Sequence, residues 1–283
     1  MTTIYDLLTD AKKRITPISP TASLDAQLLL AEVLGCNRAH IIAYPEEIVP
    51  PEQAAQIETM VARRADGEPI AYILGRRAFY DREFIVTPAV LVPRPETEHL
   101  LEIALKFVRA RHAVPQQTTA VDIGTGSGAL AVTLAANAPQ ATVYATDISP
   151  DALKIAQLNA EKNAAKVTFF QGDLLQPLID QNIQVDLIMA NLPYITTGDM
   201  QHLAVSKHEP HLALDGGDDG LDLLRRLLAQ APSVIQPGGM ILLEIGTEQG
   251  AATQQLAQDM QTPRQVTVHK DYAGHDRVVE IKF

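Results

Sequence analysis

Two hydrophobic rhythms run along the chain. Up to about residue 66, apolar side chains recur at helical spacing: Ile4, Leu7, Leu8, Ala11 and Ile15 share one face, the repeat of an amphipathic helix. A second helix is expected through Leu28, Leu29, Ala31 and Leu34, with Ser23 as its N-cap and Gly35 as its stop. Pro51 opens a third, which runs through Ile57, Met60 and Val61 to Arg64. From Thr119 onward, short apolar runs of strand length alternate with helical stretches. Strands are predicted at 120–123, 142–146, 167–170, 185–190 and 240–245, and helices at 129–136, 150–163, 221–231 and 249–260. Residues 266–269 and 278–283 form a closing hairpin. This alternation predicts an α/β fold: a doubly wound, seven-stranded, mainly parallel sheet with helices on both faces, preceded by a small N-terminal helical domain.

Between the two rhythms, the run Gly67-Glu68-Pro69-Ile70-Ala71-Tyr72-Ile73-Leu74-Gly75 breaks the helical pattern, and 79–86 reads as a hairpin turning at Asp81-Arg82. The expected division is a helical bundle over 1–74 that recognises the substrate, a linker with a β-hairpin over 75–93, and an α/β domain over 94–283. Pro95 suits the first position of the next helix, with Glu96 and Glu98 at its positive end. Lys12-Lys13-Arg14 and Arg63-Arg64 read as solvated helix faces. The acid- and glycine-rich run 214–220 reads as a mobile loop.

Composition narrows the classes. A formal net charge of −11 argues against a surface that coats nucleic acid, so no direct nucleic-acid partner is expected. A single cysteine, Cys36, excludes an internal disulfide and fits a reducing compartment. The start, with Asp6 and Asp10, lacks the basic-then-apolar pattern of a signal peptide. No uninterrupted apolar stretch is long enough to span a membrane. A cytoplasmic monomer is expected.

The candidate chemistry sits where predicted strands end. Asp122-Ile123-Gly124-Thr125-Gly126-Ser127-Gly128-Ala129 lies between the first strand and its helix, where glycines let the backbone approach a ligand at the positive helix end. The run also matches a dinucleotide fingerprint but lacks the Gly-Lys-Ser/Thr ending of a Walker A loop. Asp147 ends the second strand, where an acid binds ribose hydroxyls. Asp173 can accept the exocyclic amine of an adenine, with Leu174 packed on the ring. Two features favour S-adenosylmethionine over NAD: Asp122 can pair with an amino-acid ammonium group, and Asn191-Leu192-Pro193-Tyr194 falls at the end of the fourth strand. There the Asn oxygen and a backbone carbonyl can accept the two hydrogens of a planar nitrogen, and Tyr194 can cover its face. His202, His208 and His211 lack a tight metal-ligand spacing, and no metal is expected. Glu244, ending the 240–245 strand, either lines the pocket or serves the structure.

Taken together, these motifs resemble the peptide-chain-release-factor glutamine N5-methyltransferases. The resemblance covers nearly the whole chain: 67–75, Pro93-Arg94-Pro95-Glu96-Thr97-Glu98, 122–128, 191–194, Glu209-Pro210 with 214–221, and the tail 271–277. It implies the Rossmann-like class I methyltransferase fold, S-adenosylmethionine as methyl donor, and as substrate the glutamine of the Gly-Gly-Gln loop in bacterial class 1 release factors. The implied cofactor residues are Asp122, Gly124, Thr125, Gly126, Ser127, Gly128, Asp147, Ile148, Asp173, Leu174 and Asn191. The implied catalytic residues are Asn191, Leu192, Pro193 and Tyr194. Leu192 stands where the family usually has proline. The contact implied there is a backbone carbonyl, which leucine keeps while losing proline's stiffness. Three rival readings remain at this point: an adenine N6-methyltransferase on DNA or RNA, which the same small motif would serve; a glutamine methyltransferase acting on a ribosomal protein; and a non-catalytic binding module.

Overall fold

The computed structural model describes residues 2–111, 117–200, 202–260 and 263–283, apart from the side chains of residues 204 and 205. The chain divides between Arg76 and Arg77 into two compact units.

The described residues of the first unit form five helices, two beyond the three that periodicity marked: α1 Ile4–Ile15, α2 Ala22–Leu34, α3 Arg38–Ala43, α4 Pro51–Ala65 and α5 Ile70–Leu74. The short α3 is begun by Asn37, whose side chain accepts from the His40 amide at 2.9 Å. The α5 turn lies inside the run read as breaking the helical pattern, and Gly75 stops it in the left-handed conformation. Ser23 is not a cap, because α2 already begins at Ala22. Instead Asp25, in the first turn, accepts from the Ser19 and Thr21 hydroxyls at 2.8 and 3.1 Å. The same carboxylate receives Arg64 Nε at 2.8 Å, with both side chains largely buried. Arg64 is therefore not a solvated helix face but a brace between α2 and α4. Ile4, Ile15, Leu29, Leu30, Ile41 and Ile57 fill the core of this unit.

The hairpin pairs β1 Arg76–Phe79 with β2 Arg82–Ile85. It turns at Tyr80-Asp81, one residue earlier than expected, with Tyr80 at φ 55°. Phe79 and Phe84 meet edge to face at 6.0 Å and join the core of the second unit, so this segment is packed structure rather than a spacer. The next helix, α6 Thr97–Arg111, starts two residues after Pro95. Pro93 and Pro95 each bias the residue before them toward extended backbone, so the helix begins only beyond them.

The sheet of the second unit comprises β3 Thr119–Ile123, β4 Thr142–Asp147, β5 Val167–Gln171, β6 Val185–Ala190, β7 Ile235–Glu244, β8 Gln265–Lys270 and β9 Asp276–Lys282. Its order is β5-β4-β3-β6-β7-β9-β8, parallel from β5 through β7, with β9 antiparallel to both its neighbours. The helices that connect the strands are α7 Ala129–Asn137, α8 Pro150–Lys162, α9 Gln176–Asp180, α10 Thr197–Met200, α11 Asp222–Gln230 and α12 Gly250–Gln258. One face of the sheet carries a core with α6 and α7, the other a core with α11 and Leu178 of α9. All six residues of β6 are buried, as a central parallel strand covered on both faces requires. Strand order reverses between β3 and β6, the place where open α/β sheets bind ligands.

Asn159 carries the fold into that place. It interrupts the otherwise apolar face that α8 makes with Ala152, Leu153, Ala156 and Ala160, and it is fully buried. Its Oδ1 accepts from the Ile85 amide at 2.6 Å, and its Nδ2 donates to the Ile85 and Ser127 carbonyls at 2.9 Å each. One side chain thus ties β2 to the glycine-rich loop. Asn159→Ala removes the partner of three backbone groups, one buried and two part-buried, at roughly 1 kcal/mol each, so a loss of about 2–3 kcal/mol and a clearly lowered thermal midpoint are expected by circular dichroism. An unchanged midpoint would remove Asn159 from this role.

Candidate active site

A cavity of about 260 Å³ opens at the carboxyl ends of β3, β4, β5 and β6. It brings together Asp122, Gly124, Thr125, Gly126, Ser127, Asp147, Ile148, Asp173, Leu174, Asn191, Leu192 and Pro193. Gly128 and Tyr194 are the two predicted site residues outside its lining.

The glycine loop has a different reason for each glycine. A Cβ on Gly126, at φ 54°, would meet nothing nearer than 4.0 Å, so this position leaves the backbone bare toward the cavity. A Cβ on Gly124 would lie 3.0 Å from Leu192 Cδ2, so the leucine fills the space above the loop. A Cβ on Gly128 would lie 3.2 Å from Ala156 Cβ. That glycine allows α7 and α8 to approach one another and does not face a ligand.

The carboxylates brace this loop. Asp122 Oδ2 accepts from Thr125 Oγ1 at 2.6 Å and from the Ala131 amide at 3.2 Å. Complete burial outweighs those bonds and pushes its pKa up to about 7. Asp147 accepts from the Gly126 and Ser149 amides at 2.8 and 2.9 Å, and burial raises its pKa as well. Asp173 is paired with Arg226 of α11. Leu174 is held at φ 50°, a backbone region costly for a branched side chain, while Thr146 Oγ1 donates to its carbonyl at 2.9 Å.

Asn191 follows β6 directly. Its Nδ2 donates to Thr97 Oγ1 at 3.0 Å, so the first residue of α6 grips the carboxamide. Leu192 is buried in the sheet core. Tyr194 is half-buried, with burial its largest influence and the charges of Glu244, Arg277, Arg94 and Glu96 acting on it; its pKa is raised. Glu244, at the end of β7, is almost wholly enclosed and lies outside the cavity lining. Burial pushes its carboxyl up to about 7, and a hydrogen bond from Thr97 opposes that rise.

The backbone of the motif is clamped from outside. Ile195 pairs with Asp215 in parallel: the Ile195 amide donates to Leu214 O at 3.1 Å, and the Gly216 amide donates to Ile195 O at 2.8 Å. Gln249 Nε2 donates to the Tyr194 and Gly220 carbonyls at 3.1 and 3.2 Å. A Cβ on Gly216 would fall 2.7 Å from Pro193 O. The 214–220 run is therefore packed onto the motif and is not the mobile loop expected. A second clamp joins Arg94 Nη2 to Glu209 Oε1 at 2.5 Å, while Glu209 Oε2 accepts from the Val92 amide at 3.2 Å. Thr97, Gln249, Asn159 and Arg226 contact the predicted site residues or their loops, and sequence reading gave none of the four a part in the site. Only Asn159 carried a signal of its own, as a polar residue on an apolar helical face. Among the described residues, no group of three or more His, Cys, Asp or Glu side chains is placed to hold a metal ion, and no helix is long and apolar enough to cross a membrane.

Comparison with known proteins gives matches over both units. A family model described as the PrmC N-terminal domain matches residues 6–75, and one described as the methyltransferase small domain matches residues 103–209. The chain is 44% identical over 257 residues to the release factor glutamine methyltransferase of Moorella thermoacetica, covering 90% of this chain and 89% of that one. It is 38% identical over 281 residues to the protein of the same name in Bacillus subtilis, covering 99% and 97%. A solved methyltransferase structure from Pyrococcus furiosus, 20% identical, overlaps 73% of this chain and 90% of its own with a TM-score of 0.53, a likeness of fold.

Of the three raised carboxyls, Asp122 and Glu244 are raised furthest, and each contributes to the pH dependence of stability. Asp122 and Glu244 both titrate at about 7 in the folded chain, against roughly 4 when unfolded. Between those values these two groups hold more protons in the folded state, so their contribution to stability falls as pH rises from about 4 to about 7 and is flat above. Asp122→Asn has no proton to lose. It should melt above the wild type at about pH 8, where the wild-type carboxylate is charged, with the difference shrinking toward about pH 4. Equal differences at both ends would show that burial does not control Asp122.

Proposed function

We propose that this chain, which belongs to the release factor glutamine methyltransferase family, transfers a methyl group from S-adenosylmethionine to the glutamine side-chain amide of the Gly-Gly-Gln loop of class 1 release factors. The observation that carries this reading is the 3.0 Å bond from Asn191 Nδ2 to Thr97. With one N–H of its NH₂ donated to Thr97, the side chain is oriented so that its oxygen, which can only accept, is left for a ligand. An acceptor at the end of β6 suits a substrate that arrives with N–H groups.

The cavity fits the methyl donor in chemical kind. Gly126 leaves bare backbone, Asp147 stands at the end of β4 within reach of hydroxyls, and Asp173 can accept from an amine. Asp122 would face the ammonium group, and a cation there would draw its buried carboxyl back to the ionised form. When bound, S-adenosylmethionine supplies an electrophilic methyl group on a cationic sulfur.

The chain's own residues have a positioning task. An amide nitrogen is a poor nucleophile because its lone pair is shared with the carbonyl, and no side chain near neutral pH deprotonates it fully. Asn191 Oδ1 and the Leu192 carbonyl would each accept one amide hydrogen, fix the nitrogen in line, and stabilise the positive charge that builds on it. Tyr194 would pack beside the amide plane. Leu192 lacks proline's rigidity, but its burial, Pro193 after it and the Gln249 clamp on Tyr194 supply stiffness from outside. We also assign recognition of the release factor to the N-terminal helical unit.

Incubation with S-adenosylmethionine and release factor should add one methyl group to the Gly-Gly-Gln peptide, seen by mass spectrometry, and none to DNA or ribosomal protein offered beside it. Asn191→Ala should lower turnover by about 10²–10³, the range for losing one preorganised polar contact, with donor affinity by calorimetry little changed. Methylation of DNA instead, or near-wild-type turnover in the variant, would refute the assignment.

A further inference from the structure

The two oxygens assigned to the acceptor amide have different supports. Asn191 Oδ1 is oriented through the bond its own Nδ2 makes to Thr97. The Leu192 carbonyl lies beyond the end of β6 at Ala190. Among the described residues, no backbone–backbone hydrogen bond reaches Leu192 or Pro193. The first anchor downstream is the Tyr194 carbonyl, and its donor is Gln249 Nε2 at 3.1 Å. We propose that Gln249 is a positioning residue for methyl transfer, fixing the Leu192 carbonyl by pinning the far end of the loop that carries it. This rests on the function proposed for the Asn191 site.

The argument starts from a count of donors and acceptors. A carboxamide offers two hydrogens at one end and an accepting oxygen at the other. At Gln249 both ends are engaged by backbone. Oε1 accepts from the Gly246 amide at 2.9 Å, and Nε2 donates to the Tyr194 and Gly220 carbonyls at 3.1 and 3.2 Å. One side chain thus joins the turn after β7, the 214–220 run and the acceptor motif. The pattern has a single sense. Turned over, the carboxamide would set its oxygen against two carbonyls and its NH₂ against an N–H.

The anchor is itself held firmly. The Gln249 amide donates to Gly246 O at 3.0 Å, and the Gln249 carbonyl accepts from the Thr253 amide at 2.9 Å, where α12 begins. A Cβ on Gly220 would overlap the Tyr194 carbonyl, and one on Gly216 would lie 2.7 Å from Pro193 O. A Cβ on Gly246 would lie 3.5 Å from Tyr194 Cδ2, so the turn that Gln249 braces also abuts the Tyr194 ring. Between Ala190, paired with Ile123 and Leu243, and the Tyr194 carbonyl lie only Asn191, Leu192 and Pro193. Proline fixes one backbone angle of that span. Pinning both ends therefore leaves the Leu192 carbonyl little freedom, which is what an acceptor held in line requires.

The test uses the full chain with S-adenosylmethionine and release factor. Gln249→Met keeps the length of the side chain and loses its hydrogen bonds. Gln249→Glu keeps the shape but sets an oxygen against the two carbonyls. Both should lower kcat about tenfold to a hundredfold, with donor affinity by calorimetry and the KM for release factor within about threefold. A merely space-filling role predicts wild-type kcat in Gln249→Met at temperatures well below its melting midpoint. Independently of any acceptor, hydrogen exchange at the Ile195 and Gly216 amides should quicken about tenfold or more in Gln249→Met, with the Ile188 amide of β6 unchanged. Wild-type kcat in Gln249→Met, or unchanged exchange at Ile195 and Gly216, would overturn the proposal. If exchange quickens but the wild type methylates no release factor, the functional assignment fails while the anchoring of the loop stands.

Discussion

The hydrogen bond between Asn191 Nδ2 and Thr97 Oγ1 joins two parts of the chain 94 residues apart, and much of the second unit serves to hold its two ends in place. One end is fixed because β6 is the central buried strand and stops where Pro193 forbids it to continue. The other is fixed because two prolines delay α6 until Thr97, which becomes the helix's first residue. A strand end and a helix start are both rigid, so a side chain held between them has little freedom left to lose when a ligand arrives. That is the form preorganisation takes here.

Around this pair the molecule accepts unfavourable burial. Asp122 and Glu244 are deeply buried carboxyls, and Leu174 sits in a left-handed backbone region. Each costs stability, and Asp122 and Leu174 line the cavity. This is the usual trade between a stable fold and a working site. The cost is affordable because the sheet beneath is ordinary, with a continuous apolar core on both faces.

Much of this was legible from residue patterns, for identifiable reasons. The alternation of strand and helix after Thr119 is written in periodicity, which depends on local burial, and the sheet follows it closely. The strand-end placement of Asp122, Asp147, Asp173 and Asn191 follows from the same pattern. What stayed hidden depends on contacts distant in sequence. Arg64 looks solvated until Asp25 is folded against it. The 214–220 run looks mobile because its composition is that of a loop, yet its glycines are there to let backbone meet backbone at Pro193 and Tyr194. Gln249 belongs to no pattern, since a single clamp leaves no period, and Thr97, though inside the 93–98 motif, shows its contact only once β6 is folded against it. The short α3 and α5 were missed because one or two turns carry too little periodicity to register.

The most direct test is a crystal structure of the chain with S-adenosylmethionine and a glutamine-containing release-factor peptide bound. The account predicts Asn191 Oδ1 and the Leu192 carbonyl both within about 2.7–3.2 Å of the glutamine amide nitrogen, with that nitrogen facing the donor's methyl carbon. Either oxygen turned away from the nitrogen, or the donor seated outside the cavity at the ends of β3 and β6, would contradict it.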